Sequence, residues 1–126
     1  MEQEEKNKVF IREDGIIYVK IGEKVSEEGI RDLINRIMEV LGGVPKKPKI
    51  LVNVGILFLI HSSSFRKEIS DKIKIIFKEH EFEKIAFYSV NVKTRTVVSF
   101  IIAGTGFKNM RIFKSEQEAL RWLKTS

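Results

Sequence analysis

Apolar positions recur along this chain with two different periods, and the exchange between them predicts strands alternating with helices. In Lys8 to Arg12, Val9 and Ile11 are set against polar neighbours, the pattern of a short strand. Asp14-Gly15 then supplies a tight turn into Ile16-Ile17-Tyr18-Val19-Lys20-Ile21, so a hairpin is the simplest reading of this segment. Ser26 suits an N-cap, with Glu27 and Glu28 at the positive end of the following helix dipole. Beyond it Ile30, Leu33, Ile34, Ile37, Met38 and Leu41 fall on one helical stripe, which Gly42-Gly43 ends. Pro45 and Pro48 make the next segment a loop.

The second half repeats the exchange. Lys49 to Val54 shows no alternation, as expected of a strand covered on both faces in a parallel sheet. Phe65, Ile69, Ile73, Ile76 and Phe77 form a second helical stripe, with lysines on its other side. Lys84 to Val90 reads as another buried strand. Thr94 to Ala103 reads as a third helix despite β-branched Thr96, Val97 and Val98, and Gly104 and Gly106 are expected to close it. Arg111-Ile112-Phe113 is a short last strand. Ser115-Glu116-Gln117-Glu118 is a capping box opening a final helix that buries Ala119, Leu120 and Leu123. The order ββαβαβαβα predicts an α/β fold: one mostly parallel five-stranded sheet with four helices and right-handed crossovers.

Length and composition narrow the class. The 126 residues suit a single domain over 1–126, and 43% apolar content argues for a folded core. Cysteine is absent, which removes disulfides, thiolate nucleophiles and sulfur-ligated zinc, and fits a reducing compartment. The longest apolar stretch, Ile50 to Ile60, is broken by Asn53 and Gly55 and falls well short of the roughly 20 residues a spanning helix needs. The charged start, Met1 to Lys8, does not read as a signal peptide, so a cytoplasmic location is expected. Lys and Arg exceed Asp and Glu by 23 to 17, a balance that favours anionic partners. The lysines are interleaved with glutamates, and no aromatic–basic ribbon suggests nucleic acid.

Two segments sit where parallel α/β sheets place their ligands, beyond the carboxyl ends of the strands. His61-Ser62-Ser63-Ser64 offers three hydroxyls before the second long helix; one suffices as an N-cap, and the others are free to hold an anion or accept a phosphoryl group. Asn91-Val92-Lys93-Thr94-Arg95-Thr96 puts two cations at a helix amino end, where they oppose the dipole unless solvent, an anion or an acidic partner relieves them. Arg66 poses the same conflict more weakly. Catalytic constellations are thin: His61 beside Ser62 is not a dyad by adjacency, His80 fits a helix carboxyl end, and no phosphate-loop pattern occurs. No enzyme activity, metal or cofactor is expected.

At this point the pattern resembles the STAS (anti-sigma-factor antagonist, SpoIIAA-like) family, including its STAS-like branch related to the lipid-binding CRAL-TRIO domains. The resemblance rests on the element order, on Ile50-Leu51-Val52-Asn53-Val54 with Ile60-His61-Ser62-Ser63-Ser64, and on the tail from Phe113 through Trp122-Leu123. The middle stretch is similar to the family's apolar strand and Asp-Ser-Ser-Gly turn, with His61 in place of the aspartate and Ser64 in place of the glycine. The family's phospho-acceptor falls by position on Ser62. The resemblance also implies that the second strand lies between the third and fourth, and leaves open whether the first strand pairs with the second.

The leading expectation is therefore a non-enzymatic binding or regulatory module. Its site would join Ser62, Ser63, Ser64 and Arg66 to Lys93, Thr94 and Arg95, with Lys24 on the rim, and engage a protein partner, an anionic small molecule or a lipid head group. A second reading is a small-ligand or lipid carrier whose apolar pocket is lined or lidded by Ile56-Leu57-Phe58-Leu59-Ile60. A third is a self-associating subunit, a homodimer, using that run or the Trp122 face.

Overall fold

The computed structural model describes residues 7–22, 26–44, 47–54 and 63–125, with nothing described of the Ser63 side chain. Its elements are β1 (Lys8–Ile11), β2 (Ile17–Lys20), α1 (Glu27–Gly42), β3 (Lys49–Asn53), α2 (Ser63–Glu79), β4 (Lys84–Tyr88), α3 (Val92–Thr105), β5 (Met110–Phe113) and α4 (Glu116–Leu123). The five strands form one sheet in the order β1-β2-β3-β4-β5. β1 pairs antiparallel with β2, and every other neighbouring pair is parallel. The hairpin and the α/β class expected from the pattern are both present.

The turn between β1 and β2 is built as its residues require. Gly15 takes φ 86°, a left-handed conformation that costs glycine nothing, while Asp14 accepts a hydrogen bond from the Ile16 amide at 3.2 Å. Strand order departs from what the resemblance implied. β2 pairs with β3 on its inner side, and β3 pairs directly with β4, so β2 does not separate them. Each parallel crossover steps one strand in the same direction, which carries α1, α2 and α3 onto one face. Among the described helices only α4, which follows the last strand, reaches the other.

The two faces bury different cores. Ile17, Val19, Ile50, Val52 and Ile85 meet the stripes of α1, α2 and α3. Ile16, Leu51 and Ala86 meet Ala119 and Leu123 of α4, all but Ile16 wholly inaccessible. The alternation along β3, with Leu51 to one side and Ile50 and Val52 to the other, explains why its sequence shows no polar period.

The helix ends are specified locally. Ser26 accepts from the Gly29 amide at 3.0 Å and Ser115 from the Glu118 amide at 3.2 Å. α3 runs two residues further at each end than its pattern predicts, because Asn91 caps it and Gly106, at φ 77°, stops it. Gly104 does not close the helix. It lies within α3, where a Cβ would stand 2.8 Å from the Ser70 hydroxyl, so this glycine lets α3 approach α2. Ser70 in turn donates to the Ile101 carbonyl at 3.1 Å.

Candidate functional site

Because β2 to β5 are parallel, their carboxyl ends lie along one edge, and each is followed by the amino end of a helix. At that edge Asn53 is paired in register with Tyr88. The segments leading from β3 to α2 and from β4 to α3 thus depart from neighbouring positions, without the intervening strand expected from the resemblance. Of the predicted site, Ser64, Arg66, Lys93, Thr94 and Arg95 are described. Lys24, His61, Ser62 and the Ser63 side chain lie outside the described residues, as does the Ile56–Ile60 run.

Four helix amino ends share this edge, and they fall into two kinds. The first turns of α1 and α4 carry Glu27 and Glu28, and Glu116 and Glu118, complementing the dipole. The first turns of α2 and α3 carry no acid, and Arg66, Lys93 and Arg95 occupy them instead. Ser64 and Lys93 are exposed and Arg66 is half-buried. Arg66 also borders a shallow hollow of about 430 Å³ between α2 and α3, with Lys67, Asp71, Lys74 and Phe100 around it.

The α3 end is ordered from within. Asn91 accepts from both the amide and the hydroxyl of Thr94, at 2.8 and 3.1 Å. Thr94 is 1% exposed, so its hydroxyl serves the cap rather than the surface. The Arg95 guanidinium donates to the Ser89 carbonyl at 2.8 Å, which relieves part of the conflict between cation and dipole without an external anion. Ser89, itself buried, accepts from the Asn91 amide at 3.1 Å. Lys93 is left as the outward cation of this turn.

A polar chain that sequence reasoning missed lies at the same edge on the α4 face. Asn53 donates to the Tyr18 hydroxyl at 3.0 Å, and Tyr88 donates to Glu116 at 3.4 Å. Burial raises the Tyr88 phenol above its ordinary pKa, and hydrogen bonding to Tyr18 and the nearby Glu116 charge push it further. The only sequence signal was the position of each residue at or near a strand end. Their meeting depends on the β2-β3-β4 order.

That order has a second consequence. Ligand crevices in open α/β sheets form where successive crossovers diverge to opposite faces. Here the crossovers through α1, α2 and α3 stay on one face, so they open no such crevice. Space is found instead beneath those helices. A partly open cavity of about 110 Å³ is lined by α1, α2, α3 and the sheet, among the described residues wholly by apolar side chains and mostly by isoleucine and valine.

Beside it, Arg31 of α1 and Glu68 of α2 form a two-pronged ion pair at 2.7 and 2.9 Å, with the guanidinium 5.3 Å over the Phe65 ring. The hydrogen bond from Arg31 holds the Glu68 carboxyl below its ordinary pKa. Among the described residues, no helix is long and apolar enough to cross a membrane, and no cluster of three or more metal-ligating side chains forms.

Comparison with curated proteins and with solved structures finds no match. A family model described as SpoIIAA-like matches residues 16–124, which takes in β2 to β5 and all four helices and leaves out only the first strand of the sheet. By that match, and with a five-stranded α/β sheet in the expected element order, the chain belongs to the SpoIIAA-like family.

Proposed function

We propose that this protein is a non-enzymatic binding module that engages an anionic ligand, or an acidic surface of a protein partner, at the carboxyl ends of its strands. The observation that carries this reading is the contrast among its helix amino ends. α1 and α4 neutralise theirs with glutamates, whereas the adjacent α2 and α3 leave theirs without acid and add Arg66, Lys93 and Arg95. A positive dipole end and added cations together favour an anion. Family membership supports binding in preference to catalysis. Ser62, Ser63 and Lys24 complete the proposed rim on the basis of sequence, and Ser62 is its proposed phospho-acceptor.

Amide NMR during a titration with inorganic phosphate tests the reading. Saturable shifts are expected at Ser64, Arg66, Lys93 and Thr94 together, and Lys93→Glu combined with Arg66→Glu should abolish them. Arg95→Ala should weaken them less, because the Arg95 side chain is turned toward Ser89. Shifts scattered over the surface lysines, or equal in the double variant, would remove the site.

A further inference from the structure

The cavity under α1 and α2 is separate from the rim and shares none of its residues. We propose that it is a binding site for a small uncharged hydrocarbon, no larger than a single aromatic ring, held without any polar anchor. Four observations lead there.

The first is chemistry. Among the described residues no lining side chain carries a polar group, and the strand amides beneath are committed to the sheet. A held water needs two to four polar partners, and this lining offers none, so an apolar ligand readily displaces water from it. The second is size. At about 110 Å³ the space is close to that of apolar cavities that take up xenon or benzene, and far too small for a long acyl chain. A lipid with a charged head fits neither this volume nor this lining.

The third is stiffness. Isoleucine and valine have restricted χ1 rotamers, so side chains such as Ile34, Ile73 and Val52 cannot readily swing to close the gap. The fourth is spacing. α1 lies toward β1 and α2 packs on α3, and the Arg31–Glu68 pair ties the two helices across the space between them. Each helix is anchored to a different neighbour, so neither closes onto the other, whereas native interiors otherwise close voids larger than a water molecule.

Methyl NMR of the full chain under xenon pressure, repeated with benzene and with benzoate, decides the matter. Xenon and benzene should shift the Ile34, Ile73 and Ile85 methyls saturably. Ile16, Leu120 and Leu123 on the opposite face, and exposed Ile75, should stay in place. Benzoate, with the same ring and a charge, should give no saturable shift.

Val98→Phe should fill the space and abolish the response. If that variant does not fold, Val52→Ile with Val98→Ile adds less volume and should reduce it. A linear drift of all methyls with xenon, a response to benzoate equal to benzene, or an undiminished response in the filled variants would each overturn the proposal. None of these outcomes touches the rim, whose own test reads different amides and a different probe.

Discussion

The two faces of the sheet are covered in opposite ways. On one, three helices of 14 to 17 residues lie over the strands and leave an apolar gap among isoleucines and valines. On the other, a single eight-residue helix sets Ala119 and Leu123 on Leu51 and Ala86 with all four inaccessible to solvent. Amount of secondary structure is therefore a poor guide to packing. A helix as short as α4 has little stability of its own and depends on its contacts. It is accordingly clamped at its far end, where Lys84 donates to the carbonyls of Trp122 and Thr125 at 2.8 and 2.9 Å and lies 4.9 Å from the Trp122 ring. The longer helices have residues to spare, and their face tolerates a gap.

The sharpest way to break that contrast is to truncate one side chain on each face. Leu123→Ala removes a wholly buried side chain from a face with no slack, and should cost about 3–4 kcal/mol. Ile34→Ala removes a side chain already bordering the void, which lacks contacts on one side, so about 2 kcal/mol is expected. Urea denaturation midpoints with unchanged slope measure both. Equal losses, or a larger loss for Ile34→Ala, would mean that the three-helix face is packed as tightly as the other.

A second difference between the faces is electrical. The α4 face carries the Tyr18–Tyr88–Glu116 chain at its edge, whereas among the described residues the cavity lining has nothing to titrate. The Tyr88 phenol is held neutral in the folded state above its ordinary pKa of about 10. The unfolded chain thus releases this proton first as pH rises, so the folded state binds more protons and loses stability above about pH 10. The contribution is fully present below that pH. Tyr88→Phe should flatten this part of the stability-versus-pH curve, and a slope identical to the parent's would show that the effect arises elsewhere.

Much of the fold was legible because it is encoded over short spans. Asp14-Gly15 specifies its turn, Ser26 and Ser115 specify caps, and the Ile30-to-Leu41 stripe can only be a helix with one buried side. Misreadings began where meaning depends on residues far apart. Gly104 looks like a terminator until Ser70, 34 positions away, is seen to require a missing Cβ. The third helix was legible, but its start fell two residues late because Asn91 was not recognised as its cap, and its end two residues early because Gly104 passed for a stop along with Gly106. Strand order was beyond periodicity altogether, since β2 would show the same alternation beside either neighbour. For the site, the charges at the helix amino ends were readable, but the burial of Thr94 and the turn of Arg95 toward Ser89 were not. The cavity left no mark at all, because a void is lined by the same residues that would fill a solid core.

That last point gives the smallest and most discriminating prediction. Val52 lies in the central part of β3, is 6% exposed and borders the cavity. Val52→Ile adds one methylene while keeping the β-branched shape that a strand favours. In a close-packed core such an addition forces off-rotamer side chains and costs stability. Into an existing void it adds contacts and removes apolar surface from the gap, with a gain of about 0.5–1 kcal/mol expected. On the opposite face Ala119→Val adds two carbons to the wholly buried side of α4 and should cost about 1–3 kcal/mol. Opposite signs for two additions on the two faces of one sheet follow only if the slack lies under α1 and α2. Two losses would place the methylene in contact with a core that is already full.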